Sequence, residues 1–170
     1  MQPSSKYLPA DERRAQTVAT VVALAGEQNP GTITTAAIAQ RMGLTQGALF
    51  RHFPSKDAIL EAVMHWVADQ LMARAETAIQ GEASPLAALE RLFLAHVDFV
   101  VAHPGIPRLL FGQLQHPEET APKRLVQDFV GRYGARLQKL IEAGVAAGEL
   151  EARLDARAAA TLFIGTIQRL

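Results

Sequence analysis

Gln46 carries a side-chain amide that donates and accepts at once, which suits the edge of adenine, although the same amide can equally contact a phosphate. Thr45 before it offers a hydroxyl, and Gly47 after it brings no side chain, so a backbone there can approach a ligand closely. Phe50 adds an apolar ring, Arg51 is either a phosphate ligand or plain solvated surface, and Lys56 near a helix start suits an anion. A bland alternative stands beside this: Thr45 only a cap, Gln46 only solvated. A second set, His96, Asp98, His103, His116, Glu118 and Glu119, invites a metal or hydrolase reading. Its spacing matches no H-E-x-x-H or comparable ligand pattern, and His103 and His116 flank prolines, so surface and turn residues explain it better. No Gly-rich phosphate loop or nucleophile elbow is present.

The elements that position the first set run from Thr34 to Lys56. Thr34 is an N-cap, and Ala36, Ala37, Ile38, Ala39 and Met42 continue a short helix. Gly43 falls where that helix must stop in a left-handed conformation, which glycine adopts without a Cβ penalty. Leu44 and Thr45 then read as a hydrophobe followed by the N-cap of a second helix, Gln46 to about His52, ending before Pro54. Ile38, Leu44, Leu49 and Phe53 can share one small core, Leu49 and Phe53 lying four apart on one face. Gln46, Gly47, Phe50 and Arg51 then face outward with Thr45 at the tip. A short helix so presented fits the major groove of duplex DNA.

The stretch resembles the helix-turn-helix of the TetR family of one-component regulators. Thr34, Ile38-Ala39, Gly43-Leu44-Thr45, Gly47, Leu49-Phe50-Arg51-His52-Phe53 and Pro54-Ser55-Lys56 carry the resemblance. It implies an all-α fold: an N-terminal three-helix helix-turn-helix DNA-binding domain, residues 1–54, and a C-terminal helical effector-binding and dimerisation domain, residues 55–170. It also implies a cytoplasmic homodimeric repressor on a double-stranded, pseudo-palindromic operator, released by a small, largely apolar effector. No cofactor, metal or catalytic residue is implied. Thr34, Thr45, Gln46, Gly47, Phe50, Arg51, His52 and Lys56 become the DNA-facing set, with phosphates held by Thr45, His52 and Lys56. Phe50 departs from the family pattern, which has Tyr there and uses its hydroxyl on a phosphate; its contact must instead be apolar.

Composition agrees with that outline. At 170 residues the chain can bury a substantial core, and with no cysteine it has neither disulfides nor thiolate metal sites. The first residues lack a signal-peptide core, and no apolar run is long enough for a membrane span. Seventeen basic and seventeen acidic residues cancel. Residues 1–60, however, hold six cations against four anions, a local +2 that leaves −2 on the rest.

Along the chain, residues 1–9 read as an arm. A helix from about Ala10 to Glu27 follows, with Val18, Val21, Val22 and Ala25 on its apolar stripe, stopped by Asn29-Pro30-Gly31. Ser55 caps a long helix from Lys56 to about Gln80, whose tilt would move the reader. Further helices are expected at about Leu86–Ala102, Pro107–Gln115, Glu118–Ala147 and from Asp155 to Leu170. Family chains usually continue into one more helix beyond such a point. Trp66, Phe93, Phe99, Phe111 and Tyr133 are candidate effector-lining aromatics, with His96 and Gln113 as polar anchors, though each aromatic also reads as ordinary core. Ala158, Thr161, Leu162, Gly165 and Ile167 are small or apolar residues that let another helix approach, and are assigned to the dimer contact. Two other readings stay open: a helix-turn-helix that serves protein contacts or acts without ligand, and a small helical enzyme or metal-binding protein using the His and Glu residues around His116.

Overall fold

The structure is a computed structural model and describes residues 9–167. Most of the expected arm, and the last residues expected in the final helix, lie outside that range. Among the described residues there are eight α-helices and no strand.

Helix α1, Ala10–Glu27, buries Val18, Val21, Leu24 and Ala25 together with Arg13 and Thr17. It ends where Gln28 turns extended; the Asn29 carboxamide oxygen then accepts from the Gly31 N–H at 3.0 Å and sets one 3-10 turn, Pro30–Thr32. Helix α2, Thr35–Arg41, is capped by Thr34, whose hydroxyl accepts from the Ala37 N–H at 3.1 Å. Its far end is a Schellman closure: Leu44 N–H donates to the Ala39 carbonyl and Gly43 N–H to that of Gln40, with Gly43 at φ +67°. Helix α3, Gln46–Phe50, is capped by Thr45 in the same way as α2. It is shorter than expected. Pro54 lacks an N–H and disfavours a helical residue before it, so Arg51 and His52 close the helix as a turn.

Helix α4, Lys56–Ile79, is capped by Ser55 and runs roughly 36 Å at 1.5 Å per residue. It buries Ile59, Val63, Met64, Val67, Leu71 and Ala75 and packs on α1, on α5 (Pro85–Ala102) and on α7 (Ala121–Ala146). Glu149, from the turn after α7, accepts from the Ser84 hydroxyl and the Leu86 N–H at 2.8 and 2.9 Å, holding the start of α5. Helix α6, Ile106–Leu114, lies against α7 and α1. Helix α7 begins three residues later than expected from Glu118, because Thr120 is its cap and Pro122 fills the first turn. Helix α8, Ala156–Ile167, is capped by Asp155, whose carboxylate accepts from Arg157 and Ala158 N–H groups. One cluster of buried residues runs without a break from Val18 to Ile167, so the reader and the helices behind it share a core through α4.

Candidate nucleic-acid interface

Leu49 and Phe53 are 0 % exposed and seat α3 in the core cluster that also holds Ile38 and Ile59, while Leu44 is half-buried against it. The other face is open. Thr45, Gln46, Gly47, Phe50 and Arg51 are exposed, Phe50 at 42 %, and so are Thr34 and Lys56; His52 is half-buried. Thr34 and Thr45 both spend their hydroxyls on backbone caps, so each orients a helix start and has its remaining lone pair for a further contact. The Gln46 amide nitrogen donates to the Thr35 hydroxyl at 3.0 Å, which holds the side chain across the α2–α3 junction. Such a bond restricts the rotamers open to the side chain.

Two contributors were not visible in the motif. Arg14 of α1 donates to the His52 carbonyl at 2.7 Å and lays its guanidinium 4.4 Å from the Phe53 ring centroid. It satisfies a carbonyl at the end of α3 and pins that end to α1. Arg41, counted above among the cations of the N-terminal region, is paired with Glu27 through two hydrogen bonds. Its guanidinium draws the Glu27 carboxyl below its ordinary range. The basic character of the reader therefore rests on Arg51 and Lys56 more than the bare count implies.

The effector set does not converge. His96, Phe99 and Tyr133 line one cavity, enclosed by Leu71, Ile106 and Ile167. Trp66 lines an apolar groove against α1 instead, stacked edge-on to His103 at 5.3 Å. Phe93 packs on Phe163 at 5.4 Å, and Gln113 faces a separate cleft beside the reader. Phe111 is 38 % exposed, because α6 turns Ile106, Pro107, Leu109 and Leu110 inward and leaves position 111 outside. In the first cavity His96 Nδ1 and the Tyr133 hydroxyl are 3.0 Å apart, both groups buried. Burial pushes the His96 imidazole down to about 4 and the Tyr133 hydroxyl up, so the pair is neutral at physiological pH. The cavity holds only about 30 Å³, room for a water or two.

On α8, Ala158, Thr161, Leu162 and Gly165 are exposed, Leu162 at 70 %. Ile167 is not part of that stripe: it is 0 % exposed and faces inward to the His96 cavity. The histidines of the enzyme alternative are dispersed. His96 is in the core, His103 stacks on Trp66 and Phe99, and His116 Nδ1 accepts from the Glu118 N–H at 3.2 Å. Among the described residues no three His, Asp or Glu side chains are grouped to hold a metal ion. No described helix is long and apolar enough to cross a membrane.

Comparison with known proteins agrees with this geometry. Residues 18–63 match the family model described as bacterial regulatory proteins, tetR family, and residues 82–170 match that of the tetracyclin repressor-like C-terminal domain. A nucleoid occlusion factor SlmA from Marinomonas is 34 % identical over 101 residues, covering 59 % of this chain and 51 % of that protein. The SlmA of Idiomarina loihiensis is 28 % identical over 135 residues, 78 % of this chain and 69 % of that one. The chain thus spans about half to seven-tenths of the length of these relatives. Among solved structures, a TetR-family regulator from Agrobacterium tumefaciens superposes with TM-score 0.83 at 20 % identity, covering 94 % of this chain and 85 % of that one. The ketosteroid regulator KstR2 of Mycobacterium tuberculosis gives 0.79 at 21 %, with coverage of 92 % and 80 %. FadR of Bacillus subtilis, in complex with stearoyl-CoA, gives 0.73 at 20 %, with coverage of 91 % and 83 %.

Proposed function

The chain belongs to the TetR family of bacterial regulatory proteins, and on that premise we propose that it is a homodimeric, DNA-binding transcriptional repressor. The observation that carries the reading is α3 itself: five residues capped by Thr45, anchored through Leu49 and Phe53, with Gln46, Gly47, Phe50 and Arg51 left open. Residues 1–54 form the reader and residues 55–170 the regulatory and dimerising part. Gln46 reads a base edge, Phe50 packs on sugar or a thymine methyl, and His52, Lys56 and the tip at Thr45 hold phosphates. Two copies pair through the α8 stripe of Ala158, Thr161, Leu162 and Gly165, and two-fold symmetry sets the half-site spacing of a pseudo-palindrome.

The effector site is the cavity at His96 and Tyr133. With no charged residue in its lining, it suits an uncharged, mostly apolar molecule with one hydrogen-bonding group. The ketosteroid named for one fold neighbour and the acyl chain of stearoyl-CoA bound by another are apolar bodies of that general kind. Because binding needs roughly 300 Å³ or more, the ligand must open the cavity and so favours a second arrangement of α6 and α8 over the closed one. The closed volume also supports a second reading, in which the protein binds DNA without any ligand.

Fluorescence anisotropy with duplexes from the DNA flanking its own gene tests the first claim. Tight, salt-sensitive binding to one palindrome, and weak binding to a scrambled duplex, is expected. Equal binding to both would overturn sequence-specific regulation. A thermal-shift screen with hydrophobic small molecules separates the two ligand readings: the effector reading needs a compound that both raises the melting temperature and releases DNA.

A further inference from the structure

A cleft of about 390 Å³ lies between the reader and α6, and neither the DNA contacts nor the His96 cavity accounts for it. It is within the range of small-molecule sites, roughly 300–1,000 Å³. Its walls come from both halves of the chain, Asn29 from the turn after α1, Lys56 from the first turn of α4, and Arg108, Gln113 and His116 from α6 and the loop after it. The chemistry is lopsided toward donors. Two cations, Lys56 and Arg108, face one carboxylate, Asp57, and among the described residues neither cation belongs to an ion pair. The hydrogen bond Arg108 makes is long, 3.4 Å from Nη2 to the Ala25 carbonyl, which leaves most of its five donors for another partner. His116 Nδ1 lies 3.2 Å from the Glu118 nitrogen and 3.4 Å from the Glu118 carbonyl oxygen; in the tautomer that accepts the shorter of these contacts, Nε2 carries the proton and is a donor. Gln113 adds an amide.

We propose that this cleft binds a small anion bearing a carboxylate or a phosphate group, held by Lys56 at the start of α4 and Arg108 from α6, with Gln113 and His116 completing the donor set. Charge-assisted contacts of this kind are the strong ones, and a planar guanidinium suits either oxyanion. The site has a regulatory consequence. Lys56 is also the phosphate ligand of the DNA-binding reading, so an anion in the cleft competes with the operator for one ammonium group. By reciprocity, operator binding lowers affinity for the anion by the same factor.

The test is isothermal titration of the full chain with inorganic phosphate and, separately, with succinate, ionic strength being matched with chloride. At least one probe is expected to bind once per chain, and which one assigns the head group. Arg108→Gln, at a residue outside the DNA-facing set, is expected to weaken that binding about tenfold or more, the loss of a charged hydrogen bond. It should leave DNA affinity unchanged when no anion is present and abolish the anion's effect on it. If circular dichroism shows Arg108→Gln unfolded, Gln113→Leu carries the same comparison. No binding of either probe up to about 10 mM, where two charged contacts would be saturating, overturns the proposal. So does binding undiminished in a folded variant. Calorimetry involves no DNA, so its failure leaves the operator reading standing, and failure to find an operator leaves the anion site standing.

Discussion

Gly105 is the point where α6 meets α1, and Gly105→Ala probes that contact. Its backbone is at φ −82° and ψ −19°, an ordinary right-handed conformation, so conformational freedom is not why glycine stands there. Space is. A Cβ would lie 2.1 Å from both the carbonyl carbon and oxygen of Ala25 and 2.5 Å from the Gly26 nitrogen, where ordinary contact begins at 3.4 Å. The atoms in the way are backbone of α1, so the two helices must separate by roughly 1 Å in a close-packed interior. Overpacking of this sort costs about 1–3 kcal/mol, from which the lower unfolded-state entropy of alanine returns about 0.4–1 kcal/mol. For a chain of this size each kcal/mol moves the melting temperature by about 2–4 °C, so a drop of several degrees is expected. Gly112 on the same helix is the control, since a Cβ there meets nothing within 4 Å. Gly112→Ala should stabilise by about 0.5–1 kcal/mol through helix propensity alone. Calorimetric melts at one protein concentration compare the three proteins, because the proposed dimerisation would make the melting temperature concentration-dependent. A Gly105→Ala protein that melts at or above wild type would refute the close approach, as would two variants shifting in the same direction.

Other perturbations follow from the same geometry. Lys56→Ala should lower the slope of log affinity against log salt concentration by about one unit, and an unchanged slope would remove Lys56 from the phosphate set. Burial holds His96 at about 4 in the folded protein against 6.5 otherwise, so the unfolded chain takes up the proton first. Stability from this group is complete above pH 6.5 and lost as pH falls from there toward 4, with a slope of up to about 1.4 kcal/mol per pH unit. His96→Gln should flatten that part of the denaturation-midpoint profile, and a variant as pH-sensitive as wild type would contradict the neutral buried pair. Gly43→Ala puts a Cβ on a residue at φ +67° and should cost about 1 kcal/mol, read as a lower urea midpoint; no loss would argue against the Schellman closure.

The parts of the fold written in local hydrogen bonds were legible. Thr34, Thr45 and Ser55 each accept from the N–H three residues on, and Gly43 closes α2, as expected from residue type and spacing alone. The start of α7 lies at Ala121, where Thr120 and Pro122 signal it, rather than at the expected Glu118; the acidic residues before them also suit a first helical turn. Which aromatic faces which cavity was not legible. That depends on how α4, α5 and α6 are rotated against distant neighbours, so Trp66, Phe93 and Phe111 do not line the His96 cavity while Ile167 does. Gly105 follows the same rule: in the sequence it ends a His-Pro-Gly turn, and only the backbone of α1, some eighty residues earlier in the chain, makes its missing side chain necessary.

A hydroxyl-radical footprint on the DNA flanking the protein's own gene tests the presentation of α3 to a duplex most directly. The account predicts two protected patches related by two-fold symmetry and centred about 10 base pairs, or a multiple, apart. Both should fade together in Gln46→Ala and Arg51→Ala, which alter only exposed side chains. Uniform protection along the duplex, or a pair of patches indifferent to both substitutions, would contradict it.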